Sequence, residues 1–139
     1  MTARGKTVGT PRSEARLYLA KAKQFSEEAN AAIKGSRNDA AMLNAVHAVV
    51  SATDAVCVAL AGRRSSDPDH QRAADLLQEI GGKSRELTQN VRQLRMLLAK
   101  KNVVEYESRQ ASAREASDAV KRSERFVNWA SQIIEDAHL

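Results

Sequence analysis

The chain has 139 residues, the size of one ordinary domain, with room for one core and too little for two. Hydrophobic residues make up 42%, aromatics only 4%, and two prolines and six glycines leave long runs of strong helix formers; this excludes a disordered chain and points to close-packed helices with small side chains. A net charge of +5, from 22 basic and 17 acidic residues, permits an acidic or nucleic-acid partner without requiring one.

Residues 1–9 carry Arg4 and Lys6 but no apolar h-region, so they read as a disordered basic arm and not as a signal peptide. One helical domain then spans 10–139. Its first helix starts at Thr10-Pro11, a cap followed by proline at the first helical position, and runs to Lys34 before Gly35. Tyr18, Ala22, Phe25, Ala29 and Ala32 alternate spacings of four and three, which gives one buried face.

The second helix starts near Asn38 or Asp39 and stops at Gly62. Between Ala40 and Ala61 only Asp54 is charged, and Met42, Ala45, Val46, Val49, Ala52, Val56 and Leu60 line one side. A helix apolar over most of its surface belongs at the centre of a bundle. The one cysteine, Cys57, lies here as a buried thiol; with no disulfide framework available within the chain, a reducing cytoplasm is expected. No apolar run is expected to reach the roughly 18 residues of a membrane span.

Gly62–Ser66 is expected to be a loop. Asp67 and Pro68 then open a short third helix with Ala73, Ala74, Leu76, Leu77 and Ile80 inward, closed by Gly81-Gly82. A fourth helix is expected from Ser84 to Lys101, with Leu87, Val91, Leu94 and Leu98 inward. Ser112-Ala113-Arg114-Glu115 fits a capping box and starts the last helix. Ala116, Ala119, Val120, Phe126, Val127, Ala130, Ile133 and Ile134 form its stripe, flanked by Trp129. The expected fold is all-α: an up-down four-helix bundle with one additional short helix.

Two groups of side chains are the candidates for chemistry. On helix 2, Asn44, His47, Ser51 and Asp54 are spaced three, four and three, forming one polar ridge. Such groups need partners when buried, and the ridge could line a cleft against helix 4. On helix 4, Arg85, Arg92 and Arg95 lie near one face, where they could track phosphates, although a solvated face is the commoner meaning of such a stripe. No aromatic interleaves them to stack bases. The helix then runs into Lys101-Asn102 and Glu105-Tyr106, and a site is expected at this junction before the chain restarts at Ser112. No metal is expected: His47, His70 and His138 are far apart in sequence and no His or Cys pair has ligand spacing. No phosphate-cradling loop or nucleophile elbow is present either, so no cofactor is implied.

Two segments, LNAVHAVVSATDAVCVALAGRRS and AKKNVVEYESRQASAREASDAVKRSERFVNWA, resemble the HEPN superfamily (higher eukaryotes and prokaryotes nucleotide-binding domains). The similarity runs from about Arg12 to Ile134 and implies a HEPN-like helical bundle. Many HEPN domains are metal-independent ribonucleases, with Arg, a polar residue and a His four to six positions after the Arg. Here Lys101 and Asn102 take the first two positions, and Glu105, Tyr106 and Glu107 stand where the His would fall. The resemblance without that histidine implies a non-catalytic interaction module. Such a module would be the partner or neutralising, antitoxin-like subunit of a prokaryotic toxin–antitoxin or defence pair. It would bind a protein encoded by a neighbouring gene, with a homodimer also compatible with the alanine-rich faces. The alternative is a divergent endoribonuclease acting on RNA, using Lys101, Asn102 and Tyr106 with His47 and Asp54.

Overall fold

The structure is a computed structural model and describes residues 5–139. Strand β1 (Thr7–Gly9) leads through a 3-10 turn (Arg12–Glu14) into α1 (Ala15–Lys34) and α2 (Asn38–Ala61). Strand β2 (Arg63–Ser65), α3 (Gln71–Gly81), α4 (Arg85–Tyr106) and α5 (Ala113–Asp136) follow. The four long helices form the bundle, and α3 is the additional short one. Two departures from expectation lie at the bottom of the bundle. Within the arm expected to be disordered, Thr7–Gly9 pairs antiparallel with Arg63–Ser65, so the loop after α2 is also a strand. The register is Thr7 opposite Ser65 and Gly9 opposite Arg63, and Ser66 N–H donates to the Lys6 carbonyl at 2.9 Å. Residues 1–4 lie outside the described residues.

Alanine explains how close the helices come. In α2, Ala41, Ala45, Ala48, Ala52, Ala55 and Ala59 are all buried, and they meet Ala15, Ala22, Ala29 and Ala32 of α1. Small side chains at the contact shorten the distance between helix axes. α5 supplies Ala116, Ala119 and Ala130 with Phe126, Val127 and Ile134. The α2 helix is therefore buried over most of its surface; its polar ridge is half-buried, and Leu60, expected inward, is 44% exposed near the C-terminal end. By length and mean hydropathy α2 does match a membrane span, contrary to expectation, but 61% of its apolar window is buried in this bundle. A helix wrapped on most sides by its own chain is a core helix.

Caps fix the ends. Gly62 takes the left-handed conformation, φ 67°, which glycine adopts without strain, and its N–H donates to the Val58 carbonyl, ending α2. The short α3–α4 connection needs Gly81 for another reason: a Cβ there would lie 2.5 Å from both Leu87 methyls. The expected capping box is present: Ser112 Oγ accepts from Glu115 N–H at 3.1 Å, and Glu115 Oε1 accepts from Ser112 N–H at 3.2 Å. Ser112→Ala is expected to lower the unfolding free energy by about 1 kcal/mol in urea titrations, because one helix-start donor loses its partner. A variant as stable as the parent would show that α5 is held by its packing alone.

Candidate functional site

The polar ridge of α2 lies half-buried among the neighbouring helices. α1, α3, α4 and α5 all pack against α2. Asn44, His47, Ser51 and Asp54 are all half-buried. The groups facing the ridge come from α1 as well as α4: Phe25 and Lys21 from α1, Lys101 and Glu105 from α4. Seven residues separate His47 from Asp54, a rise of about 10 Å, so the ridge holds two distinct clusters.

The first cluster surrounds His47. Its ring lies against Phe25 of α1, with centroids 5.3 Å apart. Lys101 and Glu105 of α4 face it electrostatically and pair with each other at 3.7 Å. Burial holds the His47 imidazole below its ordinary pKa; Glu105 opposes this and Lys101 adds to it. His70, the residue before α3, joins the same cluster. Burial lowers its pKa first, then Lys101 and His47, against Asp69 and Glu105. Sequence reading passed over His70 because it lies 23 positions from His47. A local signal was nevertheless available in Asp67-Pro68-Asp69. Asp67 Oδ1 accepts from Asp69 N–H at 2.9 Å and Asp69 Oδ1 from Gln71 N–H at 3.0 Å. These two turns start α3 at Gln71, later than the expected Asp67–Pro68, and leave His70 at the helix entrance.

The second cluster surrounds Asp54. Burial pushes its carboxyl up to about 7, although Arg64 of β2 and Lys21 of α1 pull the other way. Those two cations share one aromatic surface: the Arg64 guanidinium lies 5.5 Å and the Lys21 ammonium 5.6 Å from the centre of the Tyr18 ring. Burial raises the Cys57 thiol pKa, with Asp54 adding to the shift, so it is a protonated core residue with no nucleophilic character. Asn44 is satisfied locally, donating to the Ala40 carbonyl at 2.9 Å.

On α4 the structure revises the expected junction. The helix does not end at Lys101; it continues to Tyr106, because no glycine or proline stops it and Val104 still packs on the core. Lys101, Asn102, Glu105 and Tyr106 are therefore helical residues, and the connection is 107–112. Helical geometry turns Asn102 outward and leaves Tyr106 77% exposed. Of the residues named for a catalytic reading, the structure brings together His47 and Lys101, and leaves Asn102, Tyr106 and Asp54 apart from them. The arginine stripe also divides. Arg95 turns to α3, donating to Asp75 Oδ1 at 2.6 Å and to Gln71 Oε1 at 3.2 Å. Arg85 is exposed at the start of α4, and Arg92 faces α5.

Among the described residues no group of three or more His, Cys, Asp or Glu side chains comes together as a metal-binding set. The paired imidazoles, one ammonium and one carboxylate could instead receive a polar group from a partner or hold a proton.

A family model described as HEPN domain matches residues 15–134, from the first residue of α1 to near the end of α5. No curated protein matches the chain.

Proposed function

The chain belongs to the HEPN domain family, and from that premise we propose that it acts as a non-catalytic interaction module. It serves as the partner or neutralising subunit of a two-component system. HEPN domains are found in toxin–antitoxin and defence systems, and the partner is a protein encoded by a neighbouring gene. The observation that supports this reading is the dispersal of the side chains a nuclease would need. Tyr106 is 77% exposed, Asn102 points outward, and Lys101 is already paired with Glu105 at 3.7 Å. Acid–base catalysis needs its groups within hydrogen-bond reach of one reacting centre.

Tagged protein recovered from its native cells is expected to carry a stoichiometric protein partner, and the purified chain is expected to leave RNA intact without added metal. Recovery of RNA with no protein partner would overturn this reading.

One observation favours the alternative, a divergent metal-independent endoribonuclease: His47, His70 and Lys101 act on one another electrostatically although neither spacing nor motif links them. An imidazole with a lowered pKa is neutral near pH 7 and can accept a proton. That enzyme would lose on the order of 100-fold or more in cleavage rate with His47→Ala or His70→Ala. Cleavage by both variants at the parental rate would eliminate it.

A further inference from the structure

Two adjoining cavities lie between α4 and α5. The first, about 380 Å³, is lined by Arg92, Arg122 and Arg125 with the amides of Gln89, Asn90 and Gln93, and contains no carboxylate. Arg122 is fixed across the groove: its Nε donates to Asp118 at 2.8 Å and a terminal nitrogen donates to Gln93 Oε1 at 2.5 Å. Arg92 and Arg125 make no hydrogen bond or ion pair among the described residues. Two free guanidiniums and one held in place therefore face a shared space.

The second cavity, about 310 Å³, continues from Arg122 toward the start of α5 and has a more apolar surface. Met96, 42% exposed, stands there with Leu97 and Ala119, edged by the cations Lys100 and Arg114. Its two acids are already occupied: Glu115 by Arg109 at 2.9 and 3.0 Å, and Asp118 by Arg122. The groove thus has an apolar patch built on an adaptable methionine and edged by Lys100 and Arg114, and an arginine-lined end one to two helical turns away, roughly 6–9 Å along α5.

We infer that this α4–α5 groove docks an acidic amphipathic segment of the protein partner. An apolar side chain of that segment sits over Met96, and its carboxylates pair with Arg92 and Arg125. Arginine forks match carboxylates bidentately. A nucleic-acid strand fits less well, because the aromatic side chain lining the groove, Phe126, is 1% exposed and offers no ring face for a base. This inference rests on the interaction-module reading and adds the chemistry of the partner.

The test pans a random peptide library on the full-length protein and measures binding of the selected peptides to variants. Arg92→Glu with Arg125→Glu is the basic-end variant, Met96→Asp the apolar-end variant, and Lys23→Glu with Lys34→Glu a control of equal charge change on exposed α1. Acidic peptides carrying apolar anchors are expected to be enriched. Their affinity is expected to fall roughly 100-fold in the basic-end variant, about tenfold per arginine, and to change little in the control. Circular dichroism checks that each variant is folded, which the exposed, unpaired arginines allow. Equal losses in the control would reduce the effect to net charge and overturn the inference. So would a single-stranded oligonucleotide that binds with the same dependence on Arg92 and Arg125. Native pull-down separates the two levels. A partner retained undiminished by the basic-end variant overturns the groove and leaves the interaction module standing, whereas absence of any protein partner overturns both.

Discussion

Above neutral pH, Asp54→Asn is expected to make the protein more stable than the parent, by up to about 4 kcal/mol. That figure is the rise of its carboxyl from 3.8 to about 7, converted at about 1.4 kcal/mol per pKa unit. Asp54 lies on the α2 ridge where burial outweighs the attraction of Arg64 and Lys21, so its ionised form is costly. The folded chain binds this proton more tightly than the unfolded chain does. The contribution of Asp54 to stability is therefore complete below 3.8 and is lost as pH rises through about 7. His47 and His70 act with the opposite sign: their lowered values make the unfolded chain take up protons first as pH falls through 6.5, which costs stability on the acid side. Glu115, held near 2 by Arg109 and by Ser112, adds a loss only at more acid pH. Urea unfolding of parent and variant between pH 4 and 9 isolates Asp54 in the difference curve. That curve should slope across the window from 3.8 to about 7 and flatten above it. A flat difference would mean that Arg64 and Lys21 hold Asp54 ionised in the folded state.

Phe126→Ala is the second large effect, an expected loss of roughly 3–5 kcal/mol. Phe126 is 1% exposed, is among the largest fully buried side chains, and packs against Trp129 with ring centroids 5.4 Å apart. Alanines dominate the neighbouring α2 surface and cannot move in to fill the space, so the cavity term is retained along with the lost transfer energy. For a domain with a total stability of about 5–15 kcal/mol, such a loss removes a third or more of it. Phe126 also forms the floor beneath Arg92, Arg122 and Arg125, so the same truncation should deepen the α4–α5 groove. Thermal melts and urea midpoints measure the first effect. A loss below about 1 kcal/mol would show that α5 closes over the gap, contrary to the rigid packing inferred from its neighbours.

The sequence by itself determined the elements whose signals are local. Asn38 to Gly62 bounds α2, and Ser112 with Glu115 starts α5, because caps and glycine turns act over a few residues. The central place of α2 followed from its lack of charge, since a helix without a polar face must be covered on most sides. Family membership was legible too, carried by α2 and the chain from α4 into α5. Other features depended on distant parts of the chain. The fourth helix was expected to end at Lys101, yet packing of Val104 on the core carries α4 on to Tyr106. The arm was expected to be loose, yet the strand after α2 gives Thr7–Gly9 a ladder partner. Tertiary structure alone brought His70 to His47, turned Arg95 to Asp75 and left Arg92 facing the α4–α5 groove. The physical reason is range. Helix period and capping are set by neighbours within about four residues, whereas burial, and with it the proton affinity of Asp54 and the imidazoles, is set by whichever segment folds across them.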